Sequence, residues 1–227
     1  MLLKKVGIID RRAGISQVDV LGLSWGGLLA QHFAFQNPRR CRRLIQVSTG
    51  TGSLMIPGRP SVLAKMLTAR RFLDHRYAAK IAPEIYGGTA RSDPMMIKRV
   101  FDRQLLAGSR VGYMHQLLAG AGWTSVFMMP LVRQPTLIVA GSDDPIIPLA
   151  DAKIMNRLLP NSALHIHDGG HVELICQRGR AGRGDRRVPA QGLNPKAVNR
   201  IRRQVQGAEV AGRRQAPAQA RRELHCP

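Results

Sequence analysis

The pentapeptide Gly22-Leu-Ser24-Trp-Gly26 constrains this chain more than any other stretch. It follows Val18-Asp-Val-Leu-Gly-Leu23, a short β-branched run that reads as a strand. It precedes Gly26 to Asn37, which reads as a helix stopped by Pro38, with Leu29 and Phe33 on one face at i, i+4 spacing. A serine on so sharp a strand-to-helix turn sits in strained backbone geometry with its hydroxyl exposed. Glycines two residues to either side keep side chains from colliding across the turn. The backbone N–H of Trp25, at the start of the helix, is then expected to point at an oxyanion.

A serine alone is a poor nucleophile, so a base and an orienting carboxylate should follow, in the order Ser, Asp, His. Gly141-Ser-Asp-Asp144-Pro-Ile-Ile-Pro148 comes after the apolar strand candidate Pro135 to Gly141. Two carboxylates therefore fall at the carboxyl end of a parallel strand, where sites in open α/β sheets lie. Asp144, three residues past the glycine, is the expected orienting acid, and Asp143 is expected to cap the turn; that both only shape an Asp-Asp-Pro turn stays open. Gly169-Gly170-His171 follows a last strand, Ala163 to His167. Its two glycines let the loop carry the imidazole over the sheet edge to Ser24 while the other ring nitrogen faces Asp144. Among seven histidines only His171 has this context. His165 and His167 alternate on one strand face and read as surface or strand-end residues, and His32, His75, His115 and His225 have no partner pattern.

Strand, helix and second strand (Arg43 to Thr49) in that order point to a parallel sheet, so the expected fold class is α/β. Residues 1–52 read as the first part of the core with the serine turn. Residues 53–132 read as a helical insertion with helical windows at Ser61 to Leu73 and Pro94 to Leu106. Residues 133–175, including a helix at Leu149 to Leu159, read as the second part of the core, with Asp144 and His171. Residues 176–227 are a basic low-complexity tail with almost no clustered apolar residues, which cannot build a core and is expected to be disordered. Out-of-frame translation of a GC-rich frame produces the same break in composition.

The formal charge is +21, from 35 Lys and Arg against 14 Asp and Glu, a surplus that ordinarily points to an anionic partner. Residues 172–227 hold 13 of those basic groups against 4 acidic ones, so the tail is about twice as charge-dense as the rest. A nucleic-acid arm using Arg178-Gly-Arg-Ala-Gly-Arg-Gly184 is the rival reading from another class, but aromatic interleaving is missing and nucleic acid is not the expected partner. Three cysteines, Cys41, Cys176 and Cys226, are too few and too scattered for a disulfide framework or a zinc ribbon, which fits a reducing, cytoplasmic setting. No metal or cofactor is expected. The uncharged stretches Val20 to Pro38 and Val111 to Val132 carry Gly, Gln, His and Pro where a spanning helix needs Leu and Ile, so no integral membrane segment is expected.

The runs VDVLGLSWGG, MIPGRP, KIAPEIYGG, GYMHQLLAGAGWTS, PTLIVAGSDDPIIP and LHIHDGGH extend from about Gln17 to His171. Together they resemble the α/β-hydrolase superfamily and, more narrowly, the intracellular poly(3-hydroxyalkanoate) depolymerases of storage-granule bacteria. The Ser, Asp and His motifs belong to the whole superfamily; Met55 to Pro60, Ile81 to Gly88 and Gly112 to Ser125 carry the narrower likeness. The resemblance implies a partial α/β-hydrolase fold, a parallel sheet with a helical lid insertion. It implies a serine ester hydrolase with Ser24 as nucleophile, His171 as base, Asp144 as its orienting acid and the Trp25 N–H as an oxyanion donor. The implied substrate is a hydrophobic polyester or acyl ester, met in the cytoplasm at a storage-granule surface; another esterase, lipase or haloperoxidase-like activity stays open. In that superfamily the nucleophile follows the fifth strand, yet only Met1 to Gln17 precede the strand here. The chain is therefore expected to lack the first half of the sheet, a His-Gly loop carrying a second oxyanion donor, and the last helix. One such donor is worth about 10²- to 10³-fold in rate, so weak or absent activity is expected.

Overall fold

The computed structural model describes residues 16–67, 70, 74–93 and 110–176. Four strands, β1 (Val18–Leu23), β2 (Cys41–Val47), β3 (Thr136–Gly141) and β4 (Ser162–His167), form one sheet in the order β1-β2-β3-β4, every neighbouring pair parallel. Parallel neighbours cannot be joined by a tight turn, so the chain must cross over between them. Helix α1 (Trp25–Gln36) makes the first crossover. The second holds α2 (Pro60–Met66), α3 (His75–Tyr86), α4 (Thr89–Ser92), α5 (Arg110–Ala121) and a 3₁₀ turn at Met129–Leu131. Helix α6 (Leu149–Leu158) makes the third, and α7 (Glu173–Cys176) follows β4. The strand-helix order expected of an α/β protein is therefore present.

One face of the sheet is closed and largely apolar, with Gln46 of β2 buried in it and accepting from Gln31 at 2.9 Å. Val20 pairs with Leu44 and Ile138 with Leu164, and this face packs against Ala30, Phe33 and Ala34 of α1 and Ala152 and Met155 of α6. Leu44, Ile138 and Met155 are almost completely buried, each stabilising the fold by roughly 1.5–3 kcal/mol. Phe33 is in this core as its spacing predicted, but Leu29 is only half-buried. The inner face of α1 runs through Gly27, Ala30 and Ala34, small residues that let the helix lie close on the sheet, with Gln31 buried beside them.

On the opposite face Leu21 is 63% exposed, while His165, beside buried Val139, is only 6% exposed and His167 is half-buried. His167 ends β4, as a strand-end residue should, but neither histidine is a surface group, and His165 lies inside the strand. The two-residue period of β4 aligns them with Ala163 on a face that is covered at this edge, and burial pushes both imidazoles below their ordinary value. Strand β2 starts at Cys41 rather than Arg43, and it ends at Val47 rather than Thr49 because Ser48 turns out of the extended region at φ 44°.

In the insertion, Asp74 caps α3 by accepting from the Tyr77 N–H at 3.0 Å, and Ile81 and Ile85 pack with Val62 and Ile146. The insertion's two ends meet where Gly52 pairs antiparallel with Thr124 and Ser125 N donates to Thr51 O at 2.9 Å. Helix α2 answers to the first part of the window Ser61 to Leu73; the window Pro94 to Leu106, residues 1–15 and the tail from 177 onward lie outside the described residues. Among the described residues no helix is long and apolar enough to cross a membrane.

Candidate active site

Ser24 occupies the single residue between β1 and α1, with φ 52° and ψ −124°. A non-glycine residue in such a conformation costs about 1–3 kcal/mol and persists only where its surroundings hold it. Here Ser24 N donates to Val47 O at 2.9 Å, and its carbonyl accepts from Gly27 N and from Thr49 Oγ1, each at 2.8 Å. The glycine requirement expected on both sides of the turn holds on one side only. A Cβ at Gly22 would lie 2.6 Å from Gly26 O, whereas one at Gly26 would meet nothing. The second close approach is at Gly27, where a Cβ would lie 2.3 Å from Thr49 Oγ1, because α1 folds back over the end of β2.

Ser24, Asp144 and His171 follow β1, β3 and β4 at their carboxyl ends, and the three side chains meet. His171 Nε2 lies 2.8 Å from Ser24 Oγ, and His171 Nδ1 lies 2.8 Å from Asp144 Oδ2. A carboxylate only accepts, so Nδ1–H donates to Asp144 and the free lone pair on Nε2 accepts from the serine hydroxyl. The imidazole and the Asp144 carboxylate are 4% and 1% exposed, which shields both links from water. The other Asp144 oxygen accepts from the N–H groups of Ile146 and Ile147 at 2.9 and 3.0 Å. Asp144 thus caps its own turn while facing His171. Such a chain can withdraw the serine proton and stabilise the resulting imidazolium.

Asp143 does not cap this turn, contrary to expectation. Its carboxylate accepts from Gly88 N at 2.8 Å and pairs with Arg91 at 2.7 Å, since its side chain leaves the strand end toward the insertion rather than along its own loop. Burial pushes the Asp143 carboxyl up, but the Gly88 and Arg91 hydrogen bonds outweigh it and hold the group below its ordinary value.

Trp25 is the first residue of α1, so its N–H is among the four that no helical carbonyl satisfies. Its indole Nε1 donates to Gln116 O of α5 at 3.2 Å. Beside it, Leu28, Leu29, His32, Ala119 and Trp123 complete an apolar groove of about 160 Å³, with His32 edge-on to Trp123. Asp151 of α6, close enough to sense the Asp144 charge, is 1% exposed and accepts from Ile56 N at 2.8 Å. Burial raises its carboxyl above the ordinary value; the Ile56 hydrogen bond opposes this and the Asp144 charge adds to it. Among the described residues no group of three or more His, Cys, Asp or Glu is placed to hold a metal. The bracing roles of Thr49, Arg91, Asp151 and Glu173 were missed in sequence. Only the twin glycines Gly87-Gly88, which announce a close approach, hinted that the insertion meets the site loops.

The alpha/beta hydrolase fold family matches residues 6–175, and the chain belongs to that family. Within it, the chain is 45% identical to a poly(3-hydroxyalkanoate) depolymerase of Ectopseudomonas oleovorans over 161 residues, 71% of this chain and 56% of that protein. It is 26% identical to a 2-hydroxy-6-oxononadienedioate/2-hydroxy-6-oxononatrienedioate hydrolase of Cupriavidus pinatubonensis over 70% of this chain and 57% of that one. The chain thus spans little more than half the length of these two relatives. The fold is shared with the enol-lactonase of Burkholderia xenovorans LB400, with a TM-score of 0.63 and 20% identity over 79% of this chain and 67% of that structure.

Proposed function

We propose that the protein is a serine ester hydrolase that cleaves medium-chain 3-hydroxyacyl polyester or acyl esters through an acyl-enzyme. The observation that carries this reading is the unbroken run from Ser24 Oγ through His171 to Asp144, with both links at 2.8 Å. The likeness to a poly(3-hydroxyalkanoate) depolymerase supports the choice of substrate class.

In this mechanism Ser24 Oγ attacks the ester carbonyl carbon as its proton passes to His171 Nε2. Asp144 holds the imidazole in the required tautomer and the Trp25 N–H donates to the oxyanion. The imidazolium returns the proton to the departing alkoxide, which leaves as an alcohol. Water then attacks the acyl-enzyme, giving a proton to His171, which passes it to Ser24 Oγ as the acyl bond to the serine breaks and the acid leaves. Residues 53–132 act as a lid between the two parts of the core, and the groove beside Trp25 takes the acyl chain, its apolar walls suiting a hydrocarbon. A polyester substrate carries with it a working place at a storage-granule surface.

Hydrolysis of p-nitrophenyl octanoate, measured beside release of hydroxy acids from polymer granules, tests both levels. Ser24→Ala is expected to remove turnover by about 10⁴-fold or more. Equal turnover by Ser24→Ala would overturn the serine mechanism, and turnover of the soluble ester without the polymer would return the chain to the wider class of esterases.

A further inference from the structure

The turn from Tyr86 to Arg91 belongs to the insertion, yet it touches both loops that carry the reacting groups. His171 N donates to Tyr86 O at 2.8 Å, and the two rings lie nearly parallel with centroids 6.5 Å apart. Glu173, two residues past His171 and 5% exposed, accepts from Thr89 N at 2.9 Å, from the Thr89 hydroxyl, and from Gly170 N at 3.4 Å. On the far side of the turn, Asp143 accepts from Gly88 N and pairs with Arg91, next to Asp144 in the chain.

The backbones interlock as well. Gly87 and Gly88 have φ of 63° and 48°, a Cβ on Gly88 would lie 2.2 Å from Gly170 N, and one on Gly170 would lie 2.0 Å from Tyr86 O. A buried carboxylate is tolerated only when hydrogen-bonded, so Glu173 and Thr89 stabilise one another's placement.

We propose that the Tyr86–Arg91 turn is a positioning element for His171, fastened by Thr89 to Glu173 and by Arg91 to Asp143. His171 and Asp144 arrive from different strands, and this third body sets the distance between them. The proposal rests on the reading of Ser24, His171 and Asp144 as the reacting chain. None of the turn's residues touches the substrate's reacting bond; they act through the imidazole.

Thr89→Val removes the hydroxyl link at nearly constant volume. Because an error of about 1 Å in placing a catalytic group costs about 10²-fold, kcat on p-nitrophenyl octanoate is expected to fall by about that factor with KM within about twofold. Thr89→Ser, which keeps the hydroxyl, is expected to restore kcat. The His171 Nδ1 proton, observed by NMR on the full chain, is expected to shift and exchange faster with solvent in Thr89→Val. Arg91→Ala, an exposed position that a folded chain tolerates, is expected to lower kcat by about two- to five-fold. An unchanged imidazole proton together with unchanged kcat in Thr89→Val and Arg91→Ala would overturn the proposal, as would a change confined to KM. Ser24→Ala separates the two levels: if it keeps full turnover the hydrolase reading fails, while the imidazole proton still reports whether Thr89 holds His171.

Discussion

The sheet and the insertion both reach the site, but by different kinds of contact. The sheet presents Ser24, Asp144 and His171 from the ends of strands whose closed face buries Leu44, Ile138, Phe33 and Met155. The insertion has a smaller apolar nucleus, Val62, Ile81 and Ile85, which packs on Ile146 of the Asp144 loop, and its Tyr86–Arg91 turn adds polar links to the site loops such as Thr89 to Glu173 and Arg91 to Asp143. Apolar burial is non-directional and contributes stability in bulk, whereas hydrogen bonds fix distances and angles. The sheet therefore sets how stable the fold is, and the insertion's turn adjusts where the site's groups stand.

The sharpest expected effect lies on the sheet side of that division. Asp144→Asn keeps an acceptor for Ile146 and Ile147 but disturbs the imidazole tautomer, and a loss of about 10⁴-fold in kcat is expected with the melting temperature nearly unchanged. An equally large loss of stability would mean that Asp144 is chiefly structural. Next comes a pair of truncations. Ile138→Ala is expected to cost about 2–5 kcal/mol in denaturant unfolding, while the folded fraction keeps its kcat. Ile85→Ala should instead lower kcat at denaturant concentrations where circular dichroism still reports a folded sheet. Parallel loss of stability and kcat in both variants would erase the distinction between the two regions.

The smallest effect concerns Asp151, which ties α6 to Ile56 of the insertion. Burial raises its carboxyl above the ordinary 3.8, so the folded form holds the proton more tightly than the unfolded chain. That contribution is complete below the ordinary carboxylate value and is lost as pH rises through the folded one. Asp151→Asn retains the acceptor for Ile56 and removes the titration. Its melting temperature is expected to exceed that of the parent at neutral pH, by about 2–4 °C for each kcal/mol gained, with the gain fading toward pH 4. A gain that grows on acidification would contradict the sign.

Much of this was legible in the sequence, for identifiable reasons. Short stretches rich in Val, Ile and Leu with glycine in or just past their ends marked all four strands, and Ser24, Asp144 and His171 stood in motifs that follow strand ends. Contacts between distant loops were not legible. The position three residues past Gly141 singled out Asp144, but nothing local showed that Asp143 would leave the strand end toward Arg91 rather than cap its own turn. Glu173 reads as an ordinary helix-start acid until Thr89 is brought beside it from 84 residues away. The burial of His165 and His167 likewise depends on what covers the β4 edge rather than on β4 itself.

The conformation of Ser24 has a consequence for how such a chain drifts or is engineered. Glycine would adopt φ 52° without the penalty that serine carries there, so Ser24→Gly should raise thermal stability while removing the hydroxyl. A screen that rewards only heat resistance would therefore favour discarding the one atom on which the proposed chemistry depends. Stabilising this protein without an activity readout selects against its own site.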